Sequence, residues 1–148
     1  MKTAEEIMTR KVVTVNKNLP IKDLSKLFIE NQFNGVPVVD DDDNVLGVVT
    51  QGDLIEQNKN LHIPTVITLF DAVLFLDSEK KFEADVKKLT GTKVEDFYHK
   101  HAISVGPKSD ISEITTLMAE KDIHTIPVID NGKLIGVIGK RDVIRAMA

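Results

Sequence analysis

The sequence predicts an α/β protein made of two similar halves, each ordered strand, helix, strand, strand, helix. Three observations carry that expectation. Gly47-Val48-Val49-Thr50-Gln51-Gly52-Asp53-Leu54-Ile55 reads as a short apolar strand that ends in a hydroxyl, turns at once and opens a helix on a carboxylate. The same order returns as Gly136-Val137-Ile138-Gly139-Lys140-Arg141-Asp142-Val143-Ile144. Outward from these stretches, residues 5–40 align with 95–130 without a gap, and one adjustment in an acidic loop pairs 45–55 with 134–144. Identities such as Val15/Val105, Ile21/Ile111, Leu27/Leu117, Pro37/Pro127 and Asp53/Asp142 fall on strand, helix and turn positions alike, which a chance match of composition does not do. The chain is therefore a duplicated unit of about fifty residues. The expected division is 1–58 for the first repeat, 59–92 for an insert and 93–148 for the second repeat.

Each element has a local reason. Residues 4–8 form a short lead-in. Val12-Val13-Thr14-Val15 is β-branched and predicts a strand. Pro20 suits the first turn of a helix, where Ile21, Leu24, Leu27 and Phe28 recur at helical spacing. Asn34-Gly35 turns the chain. Val36-Pro37-Val38-Val39 predicts a strand, and Pro37, lacking an N–H, points to an edge or a strand start. Residues 40–44 hold four adjacent carboxylates. They are compatible with a cation, but the Ca²⁺ loop of an EF-hand needs a longer ligand pattern. A solvated hairpin turn is the simpler expectation, and no metal site is expected.

In the second half, residues 102–105 predict the first strand. Ile111, Ile114, Leu117 and Met118 mark the apolar helix face, with Met118 as core filler. Asp110 and Glu113 stand at capping-box spacing. Residues 126–129 and 134–138 form a hairpin around Asp130-Asn131-Gly132, and the last helix starts at Arg141. The insert predicts helical segments at 61–75 and 78–89. The run 67–75 is too apolar to leave exposed. It either packs across both repeats or forms a dimer surface.

Composition bounds the function. A chain of 148 residues with 42% hydrophobic and 28% charged residues fits an ordinary soluble domain in which two marginal halves share one core. A net charge of −4 and a pI near 5.5 give no pull toward nucleic acid or anionic lipid. The absence of cysteine removes disulfides, thiolate metal sites and thiol nucleophiles, and fits a cytoplasmic setting. No secretory signal heads the chain, and residues 66–76 are too short to span a bilayer. No Ser/His/Asp constellation, Walker loop or HExxH set supports an enzyme.

Several stretches carry a family likeness: Ile7-Met8-Thr9, Gly35 through Asp40, Gly47 through Asp53, Ile123 through Asp130, and Gly136 through Asp142. Together, and twice in the same order, they resemble a tandem CBS-domain pair, the Bateman module. The resemblance implies two pseudo-symmetric CBS repeats packed through their sheets, with a helical insert between them. It implies a non-enzymatic regulatory module that binds adenosine-containing ligands such as AMP, ADP, ATP or S-adenosylmethionine, with no cofactor. It also implies a homodimer. With no effector domain evident, output would pass through a separate effector protein, oligomeric state or ligand buffering.

The candidate site follows from ribose chemistry. One ionised carboxylate can accept hydrogen bonds from two adjacent hydroxyls, and such charge-assisted bonds are strong. Asp53 and Asp142 fit that role at helix starts, where unpaired N–H groups also suit a phosphate. Thr50 adds a hydroxyl. Both carboxylates are equally placed to act as helix caps. The resemblance implies adenine slots beside Val12, Val13, Val36 and Pro37 in one cleft, and Ala102, Ile103, Ile126 and Pro127 in the other. His124, Arg141 and Lys140 are candidate phosphate contacts; the first repeat has uncharged Asn34, Gly52 and Gln51 there. His99, Lys100 and His101 read as solvated surface.

Transferred by position, Thr50 and Asp53 face Ala102, Ile103, Ile126, Pro127, His124 and Arg141. The weaker, opposite cleft combines Asp142, Gly139 and Lys140 with Val12, Val13, Asn34, Val36 and Pro37, and with Gly52. A phosphorylated ligand is thus expected to prefer the Asp53 cleft. The competing expectation is an interaction scaffold with one or both sites degenerate, since Gly139 lacks the hydroxyl of Thr50.

Overall fold

Each half lays down a hairpin and backs it with helices. The computed structural model describes residues 1–59 and 92–148; the segments expected at 61–75 and 78–89 lie outside the described residues. The lead-in helix α1 (Ala4–Ile7) precedes β1 (Val15–Asn16), α2 (Ile21–Glu30), β2 (Gly35–Val39), β3 (Val45–Thr50) and α3 (Gln51–Lys59). After a 3₁₀ turn at Val94–Asp96 and the short strand β4 (His99–Lys100), the second half runs through α4 (Ile111–Lys121), β5 (Thr125–Asp130), β6 (Lys133–Gly139) and α5 (Lys140–Met147). The α/β class and the doubled plan are as the sequence predicts.

The first sheet has the order β1-β2-β3-β4. The second repeats it in reduced form, with the β5–β6 pair flanked by a parallel bridge Val105–Val128 and an antiparallel bridge Thr9–Val137. The strands expected at 12–15 and 102–105 are shorter than predicted. Within those ranges pairing holds only at the buried Val15 and Val105, and Val13 is left 38% exposed. Pro37 lies in an inner strand rather than at an edge. The second half shows why this is tolerated. The Val105 amide donates to the Pro127 carbonyl and the Ile129 amide donates to the Val105 carbonyl. The proline nitrogen therefore faces the point where that pairing begins, and no ladder bond is forgone.

Turn chemistry closes the hairpins. Asn131 and Gly132 both take positive φ between Asp130 and Lys133, as a two-residue Asn-Gly turn requires. In the first half the Asp40 carboxylate accepts from the amides of Asp42 and Asn44, each at 2.9 Å. The Asn44 amide in particular holds the Asp40 carboxyl below the usual carboxylate range. Asp110 caps α4 by accepting from the Glu113 amide at 2.9 Å.

Buried apolar side chains form two clusters among the described residues, not the one shared core expected from composition. One joins Leu24, Phe28, Val36, Val38 and Val49; the other joins Ile114, Ile126, Val128, Ile138 and Val143. The membership of these clusters shows an exchange. Ala4, Ile7 and Met8 belong to the second repeat's cluster, and Val94 to the first's, with Phe97 and Tyr98 packed against it. The lead-in of each repeat thus completes the other. The Thr9 and Val137 backbones exchange two hydrogen bonds of 2.9 and 3.0 Å, while β4 pairs with Gly47 and Val48 of β3.

Equivalent glycines admit these lead-ins. A Cβ on Gly47 would collide with the His99 carbonyl, and one on Gly136 with the Met8 side chain. Backbone cannot yield as a thioether can. Gly47→Ala should therefore destabilise more than Gly136→Ala, by about 3 kcal/mol against about 1, within the usual range for overpacking. Urea unfolding of the two variants checks the order.

Candidate functional site

The two carboxylates sit where a strand passes straight into a helix. The Asp53 Oδ2 accepts from the Thr50 amide at 2.8 Å, and the Thr50 hydroxyl accepts from the Asp53 amide at 3.1 Å. That is a reciprocal capping box. The Asp142 Oδ2 accepts from the Gly139 amide at 2.8 Å, so the missing hydroxyl does not remove this bond. Capping occupies one oxygen of each carboxylate and leaves the other to other chemistry.

What meets the second oxygen differs. Asp142 Oδ1 accepts from the Thr9 hydroxyl at 2.9 Å and from Arg145 Nη1 at 3.3 Å. Asp53 Oδ1 faces His99 Nε2 at 2.5 Å. Thr9 and His99 are equivalent positions of the two exchanged lead-ins.

Two cavities flank the contact between repeats. They meet where β2 and β5 begin, and there a side chain on Gly35 would stand 2.8 Å from Thr125 Oγ1. Asn34, His124, Thr125 and Lys140 border both cavities. The Asp142 cleft, about 460 Å³, is lined by Asp142 itself and by Val12, Val13, Asn34, Val36, Pro37, Gly139 and Lys140. The sequence groups those eight residues together, and the structure does the same. The Asp53 cleft, about 650 Å³, is lined by Thr50, Ala102, Ile103 and His124 of the expected set.

Four expected members are elsewhere. Asp53 is not at the cavity wall; His99 stands there instead. Ile126 and Pro127 are fully buried in the second repeat's interior. Arg141 lines the Asp142 cleft, and its Nη1 donates to Gln32 Oε1 at 3.0 Å, linking the repeats. The reason is local. Lys140, Arg141 and Asp142 share the first turn of α5, so all three reach the cleft that this turn faces. Gly52, expected opposite Asp142, lines the Asp53 cleft for the same reason.

Cations therefore line both clefts, and the two arginines lie in the Asp142 cleft, which was expected to lack fixed cations. Lys11, Lys140, Arg141 and Arg145 surround a cavity whose one acidic lining residue is Asp142, and His124 adds an imidazole. Lys11 and Arg145 escape a reading by family position, because one lies in the exchanged lead-in and the other a helical turn past the carboxylate. The Asp53 cleft carries His99, His101 and His124 with Lys100, Lys121 and Lys140, against Asp122, whose carboxylate is 3.4 Å from His124.

A doubled α/β unit with exchanged lead-ins and paired clefts across a pseudo-two-fold axis defines a tandem-repeat module. A CBS-domain family profile matches residues 4–60 and 94–148, and the chain belongs to that family as a tandem pair. An uncharacterised protein of Methanocaldococcus jannaschii is 28% identical over 151 residues, covering 97% of this chain and 89% of its own length. The chain spans 42%, 63% and 31% of three longer relatives. Among solved structures, CBSX2 of Arabidopsis thaliana in complex with AMP superposes with a TM-score of 0.75 at 24% identity, over 99% of this chain and 96% of that one. The CBS domain pair of protein MJ0100, in complex with 5′-methylthioadenosine and S-adenosyl-L-methionine, gives 0.74 at 16% identity, over 99% and 96%.

Proposed function

We propose that this CBS pair is a non-catalytic sensor that binds an adenosine phosphate in the Asp142 cleft. The observation that carries this reading is the ring of Lys11, Lys140, Arg141 and Arg145 around a cavity with Asp142 as its one acidic lining residue. The Asp142 carboxylate suits ribose hydroxyls. Val12, Val13, Val36 and Pro37 offer an apolar slot for a base, and the cations offer a phosphate site, with arginine's fixed fork well matched to it. The volume lies within the usual range for small-molecule pockets. The AMP complex of CBSX2 supports the adenosine class. The excess of cations favours AMP, ADP or ATP over S-adenosylmethionine, which carries its own positive sulfonium.

Titration calorimetry with AMP, ADP, ATP and S-adenosylmethionine tests the reading, alongside melting temperature. Ligand at about 100 times its Kd should add about 2.7 kcal/mol to stability. No heat and no shift with any of the four would favour the scaffold reading. As part of the same proposal the module acts as a homodimer on a separate effector protein. Ile55, Ile144 and Met147, 70%, 64% and 73% exposed, supply apolar surface. A monomer by light scattering at about 10⁻⁵ M would remove the dimer. Among the described residues no helix is long and apolar enough to cross a membrane.

A further inference from the structure

We propose that His99 withholds the Asp53 carboxylate from ribose, so that this chain takes a single adenosine ligand, in the Asp142 cleft. The proposal rests on the reading of that cleft as an adenosine site. It starts from an inequality that the internal repeat makes measurable. The same backbone position of the exchanged lead-in carries Thr9 against Asp142 and His99 against Asp53. Both are pinned by strand pairing, Thr9 to Val137 and His99 to Val48. Neither backbone can leave without breaking a sheet edge.

The chemistry of the two contacts differs. A ribose needs two acceptor positions on one carboxylate. At Asp53, Oδ2 is held by the Thr50 amide and Oδ1 by the imidazole N–H, while the Thr50 hydroxyl oxygen is held by the Asp53 amide. The ring also takes the place at the cavity wall: His99 lines the Asp53 cleft and Asp53 does not. At Asp142 the matching contact is a small neutral hydroxyl, and the carboxylate itself lines its cleft. Arg145 is the other group on Asp142 Oδ1, but it is 73% exposed on a long stem and can swing toward a phosphate. The His99 ring is itself 67% exposed, so the difference is one of bulk: an imidazole set against the carboxylate stands between it and the cavity, where a hydroxyl does not. Side-chain exposure does not separate the carboxylates, at 11% for Asp53 and 9% for Asp142, so the difference lies in which group faces the cavity.

The repeat supplies the test. His99→Thr installs the contact that Asp142 already has, and His99→Ala serves should the first variant fold poorly. Calorimetry with AMP should give a single site in the wild type, weakened about 10- to 150-fold in Asp142→Ala and unaffected by Asp53→Ala. His99→Thr should gain a second AMP per chain, and adding Asp53→Ala to it should remove that second event alone. A wild type that binds two AMP, or an Asp53→Ala variant with AMP affinity weakened tenfold, overturns the role of His99. So does a single Asp142-dependent AMP persisting in both His99 variants. Absence of AMP binding in the wild type and in both His99 variants overturns the adenosine reading itself, which distinguishes the two failures.

Discussion

Removal of residues 2–9 should unfold the second repeat before the first, although these residues precede the first in the chain. Ala4, Ile7 and Met8 are 0%, 8% and 8% exposed and pack among Ile114, Ile126 and Ile138. Loss of a large buried side chain costs about 2–5 kcal/mol. Losing Ile7 and Met8 together approaches the whole stability of an ordinary domain, about 5–15 kcal/mol. Five backbone bonds to the second repeat would go as well: from the Ala4 amide to Ser109, the Glu5 amide to Pro107 and the Ile111 amide to Lys2, and the two exchanged between Thr9 and Val137. The protein carries its own probe. Its one tyrosine, Tyr98, packs on the first repeat's cluster, and there is no tryptophan. Urea unfolding of the truncated chain should lose far-ultraviolet ellipticity ahead of any change in Tyr98 fluorescence. Coincident transitions at the wild-type midpoint would show that the lead-in contributes nothing.

That exchange marks the limit of what the sequence shows. Strand, helix and turn positions in residues 15–55 and 105–144 follow from local pattern, because β-branched runs, apolar helical spacing and Asn-Gly turns act within a few residues. Which lead-in packs on which repeat is not local. Residues 5–9 and 95–99 occupy equivalent positions, so either could complete either hairpin. The clue lay in Gly47 and Gly136, since a glycine inside a strand often marks a close backbone approach. They read as repeat identities, yet each is the opening through which the other repeat's lead-in arrives. The contact of His99 is non-local in the same way, although its side chain is 67% exposed, as a solvated basic triplet predicts. Only β4 brings it to Asp53. Arg141 was legible but misassigned. Counting across repeats sent it to the far cleft, whereas adjacency to Asp142 on one helical turn keeps it in the near one.

Asp142→Ala should weaken AMP binding by about 1.5–3 kcal/mol, the range for hydrogen bonds to a charged group, or about 10- to 150-fold. Its effect on unfolding should be near a cap's worth, about 1 kcal/mol, because the Gly139 amide loses its acceptor and Thr9 its partner. Arg141→Ala should act differently. Arg141 is exposed and reaches Gln32 across the repeats, so its removal touches the phosphate end of the cleft and leaves the ribose end intact. It should weaken AMP by about 1 kcal/mol, less at high salt, because an exposed charge is screened. Adenosine, which has no phosphate, should bind Arg141→Ala and wild type alike, while Asp142→Ala should weaken adenosine and AMP together. The comparison of two ligands on two variants separates charge from scaffolding. Equal weakening of adenosine and AMP in Arg141→Ala would mean that the arginine acts through Gln32, by setting the spacing of the repeats, and that the phosphate is held by Lys11, Lys140 or Arg145 instead.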